Sequence, residues 1–201
     1  ELAVMLIDLY GKQKKWDKAE DTARVLLDID EKQDLGHFKL GQIYMAQGKT
    51  ENATEAFKKT LEIKPLAMDA VSGLVSSYIA RKEIKQAEKL LDEVLAKQPE
   101  NGAFLAMRGE LYLQNKQFEQ GEKLFEKVVE LYPKFEQGYH DLASAYMRRQ
   151  QTDKAIKVYE GGLKGLPESL SLLMGNAAIN EVAKNSDAAI ASYEKVLTIK
   201  P

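Results

Sequence analysis

His37 and His140 are the only imidazoles in a 201-residue chain that contains no cysteine. Acid–base or metal chemistry would need them near each other or near grouped carboxylates, and more than a hundred residues separate them. Motifs that carry a reaction are missing. There is no HExxH, no glycine-rich loop opening a helix, no GxSxG and no acid cluster with metal-ligand spacing. The 31 acidic side chains are balanced by 29 lysines and arginines. They alternate with lysine, as in Glu88-Lys89 and Glu122-Lys123, which is the pattern expected of solvated outer helix faces. Without cysteine there are no disulfides, thiolate metal sites or thiol nucleophiles, and the composition fits cytosol and periplasm equally. The residues therefore predict a chain with no catalytic, cofactor-binding or metal-binding site. What remains is the capacity to bind, and that depends on how the backbone arranges the side chains.

The arrangement is set by a period. The five prolines, Pro65, Pro99, Pro133, Pro167 and Pro201, fall 34 residues apart. Chance would place four further prolines on one phase with odds on the order of one in a million, and self-similarity at this period means stacked repeats. The stretch from Asp34 to Ala67 shows the unit. His37, Leu40, Gly41 and Tyr44 lie at i, i+3, i+4 and i+7, one face of a first helix. Ala53, Phe57 and Leu61 lie on one face of a second. Gly48 breaks the chain between the helices, and Pro65 follows the second where a helix must have ended.

The same columns return at each repeat. Tyr44 is matched by Tyr10, Tyr78, Tyr112 and Tyr146. Gly41 is matched by Gly109, Ala143 and Ala177, and Ala53 by Ala19, Ala87, Gly121, Ala155 and Ala189. Phe57 is matched by Leu91, Phe125, Tyr159 and Tyr193. The second helix opens with Asp17, Glu51, Glu119, Asp153 or Asp187, each complementing the helix dipole by ~0.3–1 kcal/mol. Six repeats are expected, at 1–33, 34–67, 68–101, 102–135, 136–169 and 170–201, in a single array. Some depart from the pattern. The first has Ile7, Ala23 and Glu31 where Gly41, Phe57 and Pro65 stand, and the third has Val75 in the small column. In the sixth, Asn176 and Asn180 replace Leu40 and Tyr44, so these amides either find partners or leave that helix partly exposed. Gly161-Gly162 inside a helix is read as close packing against the next hairpin.

The small-residue, tyrosine, alanine and proline columns, with Trp16-Asp17-Lys18-Ala19 and Phe118-Glu119-Gln120-Gly121 opening second helices, resemble the tetratricopeptide repeat (TPR) family over essentially the whole chain. The resemblance implies an all-α fold, a right-handed α-solenoid of about six helix-turn-helix repeats, with first helices lining a concave groove. A pentatricopeptide RNA reader would share the hairpin but should be basic. Here no repeat departs from neutrality by more than two charges, and nucleic acid is not expected as a partner. No apolar run approaches the ~20 residues of a membrane span.

With the packing columns subtracted, the residues expected to line the partner-binding groove are Phe38, Lys39, Gln42, Met45, Ser72, Ser76, Ile79, Met107, Glu110, Leu113, His140, Ser144, Met147, Arg148 and Met174. Five of the six methionines fall in groove columns, with Met5 among them and Met68 the exception. Methionine suits surfaces that adapt to a ligand. The small residues Ser72, Gly73 and Ser76 form a patch better explained by tight curvature than by binding. Some family members clamp a peptide's terminal carboxylate with Lys, Asn and Arg in consecutive repeats. The matching columns here offer Val4 and Asp8, then Lys39, then Asp69 and Gly73, so that clamp is absent.

The function expected from the groove is a protein–protein interaction scaffold that holds a peptide, an extended segment or a partner helix. The alternative is a structural spacer in a longer bacterial repeat protein serving export or assembly at the cell envelope, where similar arrays are common. The chain begins on Glu and stops on a repeat proline, so it is expected to be a piece of a longer protein. Tyr193, Val196 and Leu197 on the last helix have no capping helix after them, which predicts end-to-end self-association.

Overall fold

The computed structural model describes residues 2–29 and 34–200. Pro201, Glu1 and Glu31 lie outside them. Twelve α-helices, and no strands, make up the described residues. The chain divides into two compact units, Glu1–Lys97 and Gln98–Pro201. The first holds α1 (Leu2–Lys12), α2 (Trp16–Ile29), α3 (Asp34–Ala46), α4 (Thr50–Ile63), α5 (Met68–Ala80) and α6 (Ile84–Lys97). The second holds α7 (Gly102–Gln114), α8 (Phe118–Leu131), α9 (Glu136–Arg148), α10 (Thr152–Gly165), α11 (Leu170–Val182) and α12 (Ser186–Ile199). Odd-numbered helices are the first helices of hairpins, and even-numbered ones the second. Within each unit every helix packs on the next, and odd-numbered helices also touch each other.

Each hairpin turn is built the same way. Gly48 is left-handed at φ 74°, and its 34-residue counterparts Lys14, Lys82, Lys116, Gln150 and Lys184 take φ of 55–63°. The backbone closes a Schellman motif around that residue. The N–H of Gly48 donates to the Met45 carbonyl at 3.0 Å and that of Lys49 to Tyr44 at 2.9 Å, and the pair recurs as Lys116 to Leu113 and Gln117 to Tyr112. Glycine is the residue that signals this conformation, and it stands at only one of the six turns.

The prolines do more than end helices. The N–H of Ala67 donates to the Lys64 carbonyl, Asn101 to Gln98, Phe135 to Tyr132 and Ser169 to Leu166. Pro65, Pro99, Pro133 and Pro167 thus each sit second in a four-residue turn, where the ring pre-sets φ near its required value.

Inside a hairpin the packing is a volume exchange between columns. A Cβ added to Gly41 would meet the Phe57 ring at 2.5 Å, and one added to Gly109 would meet Phe125 at 3.0 Å. Where the small column carries Ile7, the aromatic column carries Ala23, and both are buried. Val75 is likewise paired with Leu91. The irregular repeats therefore conserve the filled volume, as a close-packed interior requires. Gly121 is held to glycine by the Gly109 carbonyl, 2.9 Å from where a Cβ would stand. Gly162 packs on Tyr139 and Leu172, as expected, whereas Gly161 faces open space.

Polar groups join successive hairpins. The Glu20 carboxylate accepts from Gln47 at 3.1 Å, Lys49 at 3.5 Å and the Tyr44 hydroxyl at 3.4 Å. Burial raises its pKa, but the Gln47, Lys49 and Arg24 donors and charges outweigh burial and hold it below the usual range. In the second unit the equivalent Glu122 corrects the sequence reading. It is buried rather than on a solvated face, because Arg149 Nη1 reaches both of its oxygens at 3.3 Å. Tyr146 donates to Glu126 at 2.5 Å, and burial together with that carboxylate drives the phenol far above its usual pKa. The asparagines of the last hairpin find partners. Asn176 donates to Ser192 at 3.0 Å, Asn180 to the Asn176 carbonyl at 2.9 Å, and Asn185 to Asn180 at 3.2 Å.

The turn geometry carries a direct test. A side chain held in the left-handed region is strained relative to glycine. Lys116→Gly is expected to stabilise the protein by about 0.5–1 kcal/mol, and Gly48→Ala to destabilise it by a similar amount, both read from urea unfolding. Equal stabilities would reject the strain.

Candidate functional site

The residues that packing leaves over lie on the odd-numbered helices, and each unit carries its own set. In the first unit, Phe38 on α3 is half-buried, its ring 5.9 Å from that of Phe57 and inclined by 52°. Lys39 is not an open cation. Its ammonium meets Asp8 on α1 at 2.8 Å, and its side chain is only 12% exposed. Gln42 and Ser76 are exposed, whereas Ser72 and Ile79 are half-buried. The Met45 sulfur accepts a hydrogen bond at 3.2 Å from Ser77, itself fully buried on α5. Gly73, in the Ser72–Ser76 patch, is occupied from below. A Cβ there would stand 2.5 Å from the tip of Phe57, so this glycine admits the ring of the preceding hairpin. That is the packing explanation for the patch.

In the second unit, Glu110 on α7 is bridged by Arg148 on α9, one guanidinium nitrogen lying 3.0 and 3.1 Å from the two carboxylate oxygens. Gln114 adds a third bond at 3.2 Å. Leu113 does not belong to the surface. It is 3% exposed, and its methyl group fills the space beside Gly121. The 34-residue column placed it in the groove, but the glycine opposite draws it into the core. Met107 and Met147 are half-buried, Met147 resting on the hydrophobic core of the unit, while Ser144 is exposed and Met174 is 47% exposed.

His140 joins three helices. Its Nδ1 lies 3.0 Å from the Tyr159 hydroxyl on α10, and its Nε2 lies 2.7 Å from the Ser171 hydroxyl on α11. The ring also sits edge-on to Tyr159, with centroids 5.4 Å apart. Tyr159 in turn fills the notch at Gly175, as Phe57 does at Gly73. The periodic columns single out His140 but not its partners, since a column shows neither the Tyr159 contact inside its own hairpin nor the Ser171 contact with the next one. His37 lies elsewhere, half-buried beside Leu27 and Leu40 on the first unit's second-helix side. Among the described residues no three His, Asp or Glu gather at metal-holding distance. No helix there is long and apolar enough to cross a membrane.

These elements define an all-α helical-repeat solenoid whose first helices carry the side chains left over from packing. The chain belongs to the tetratricopeptide repeat family: residues 23–139 match the model for the cytochrome c-type biogenesis protein H TPR domain, and residues 140–201 match a tetratricopeptide repeat model. No curated protein matches the sequence. Among solved structures, a tetratricopeptide repeat protein from Parabacteroides merdae is 21% identical, with 99% of this chain and 79% of that one covered and a TM-score of 0.63. PilW, a type IV pilus biogenesis factor, is 18% identical, with 100% and 97% covered and a TM-score of 0.67. Yeast Tom70 is 19% identical, with 90% and 39% covered and a TM-score of 0.72. At these identities the likeness is one of fold.

Asp141, next to His140, is half-buried and accepts from Gln137 at 2.8 Å. Burial is the main cause of a raised pKa. The Gln137 bond and His140 oppose it, and Glu110 adds to it. A carboxyl with a raised folded-state pKa favours folding most when protonated, and that contribution fades as pH rises through the folded pKa. Asp141→Asn is therefore expected to raise the urea midpoint at neutral pH. The gain should shrink as pH falls through the carboxylate range, and a gain that does not vary with pH would reject the burial account.

Proposed function

We propose that the chain is a protein–protein interaction scaffold whose odd-numbered helices hold a peptide, an extended segment or a partner helix. The observation that carries this reading is the apolar surface left on those helices after packing is satisfied. Met174 is exposed, and Phe38, Met45, Met107 and Met147 stand half-buried. Around them lie polar groups with fixed positions: the Lys39–Asp8 and Glu110–Arg148 pairs and the His140–Ser171 bond. Adaptable apolar contacts would supply affinity, and the fixed polar groups would set orientation. Burying one methionine side chain contributes about 1.5–3 kcal/mol. Replacing Met107 and Met147 together by Ser is expected to leave helicity intact and weaken a captured partner's affinity at least tenfold. Unchanged affinity would reject the groove. Leu113 is left intact in this test, since a serine there would damage the core.

A second reading is supported by the match to the cytochrome c-type biogenesis protein H repeat domain. The array would then be a spacer within a longer bacterial repeat protein that serves assembly or export at the cell envelope. Its open faces fit this role. On α1, Leu6 and Leu9 are exposed where their counterparts Leu40 and Ile43 are buried. On α12, Ile190 is exposed where Thr54 and Ile156 are buried, and Leu197 is 64% exposed. Inside a unit, a neighbouring hairpin covers such faces. The isolated chain is thus expected to associate end to end, with a mass by light scattering that rises with concentration. A strictly monomeric chain would count against it.

A further inference from the structure

Gly11 stands in α1 at the position that four of the five later repeats fill with Met45, Ile79, Leu113 and Met147, the sixth repeat carrying an exposed Glu181 instead. Those four side chains are half-buried or, for Leu113, buried, so between the second and fifth repeats the position supplies an apolar group to the packing. At Gly11 nothing replaces it. A Cβ built there would meet no atom within 4 Å, and a cleft of about 330 Å³ opens beside it between α1, the start of α2 and α3. Ile7, Trp16 and Ile43 supply its apolar walls. Its rim carries the Lys39–Asp8 ion pair and the exposed Gln42 amide, all in columns of the binding face. The volume lies at the small end of ligand sites, which suits a single side chain.

We infer that this cleft receives one large aliphatic or aromatic side chain from a partner segment lying along the first helices. The occupant is of the kind the chain itself places at the same position in the second to fifth hairpins. The inference rests on the scaffold reading. Met, Leu or Phe on the partner would pack against the Trp16 indole, while Gln42 and the ion pair hold the backbone on either side. An aromatic-walled cleft with a polar rim, closed off from water once a partner covers it, is the arrangement that concentrates binding energy in a few residues of an interface.

Trp16 is the chain's only tryptophan, so its emission reports on the cleft directly. The test titrates the full chain with N-acetyl-leucinamide, N-acetyl-phenylalaninamide and N-acetyl-glycinamide. Trp16 fluorescence and the backbone amide signals of Gly11 and Gln42 are followed. Both apolar probes are expected to give saturable shifts in the millimolar range, and the glycine analogue none. Gly11→Leu supplies the missing side chain and removes a glycine from a helix, so its unfolding midpoint should be kept or raised. Its response to the apolar probes should fall at least tenfold. A saturable response that survives in Gly11→Leu would overturn the inference, as would silence of Trp16 and Gly11 toward both apolar probes. With a partner segment bound, affinity lost in the Met107/Met147 serine variant but unchanged in Gly11→Leu removes the pocket and leaves the scaffold. Affinity unchanged in both removes the scaffold as well.

Discussion

An aromatic ring seated between two glycines is the contact on which the stacking depends. Phe57 leaves α4, passes Gly41 of its own hairpin and ends against Gly73 of the next, with no room for a Cβ on either side. Tyr159 does the same at Gly175, its hydroxyl reaching on to His140. One ring thus fixes the distance within a hairpin and the distance to its neighbour. Because interiors are packed to crystal-like density, neither distance can relax without moving the other. The surface inherits this precision. His140, Met174 and the Glu110–Arg148 bridge stand on helices whose spacing the buried rings have already set.

The period made the fold legible. Each structural position is written several times, so a column of tyrosines or small residues stands out where a single residue would not. Tyr44, Ala53 and Gly121 could be read as packing residues on that basis alone, and their burial agrees. The positive ends of the second helices carry the acids the columns display, as at Glu51, Glu119 and Asp153. What a column cannot express is depth. Leu113 shares a column with half-buried methionines but sinks into the core because a glycine faces it. Glu122 reads as a surface charge until Arg149, from the following hairpin, is brought over it.

Conformation without a residue signature was equally hidden. Lysine at a left-handed position looks like any surface lysine, and only Gly48 betrays the turn that all six hairpins share. The candidate site was legible in part for the same reason. Phe38, Met45, Met107 and Met147 are left over by subtraction, which one sequence permits. The bonds that orient the site, such as Lys39 to Asp8 and His140 to Ser171, run between repeats and follow no column. Gly11 stands in a column that elsewhere holds larger side chains, but a missing side chain becomes a cleft only when the surrounding walls are known not to close over it.

The last hairpin differs from the others in what its interior is made of. Where the second, third and fifth hairpins bury a leucine and a tyrosine ring, it buries Asn176 and Asn180, joined with Ser192 in a chain of hydrogen bonds. Apolar and polar surfaces contribute to the heat capacity of unfolding with opposite signs. The amides therefore take something from the curvature of the stability curve that a leucine and a tyrosine at the same positions would add, although Leu172, Leu173 and Ile179 still contribute theirs. In a linear array whose members are stabilised by their immediate neighbours, such a hairpin would respond to temperature on its own schedule. The fifth and last hairpins of the second unit thus differ in how far cooling weakens them, the one with Leu142 and Tyr146 inside more than the one with Asn176 and Asn180 at the same positions.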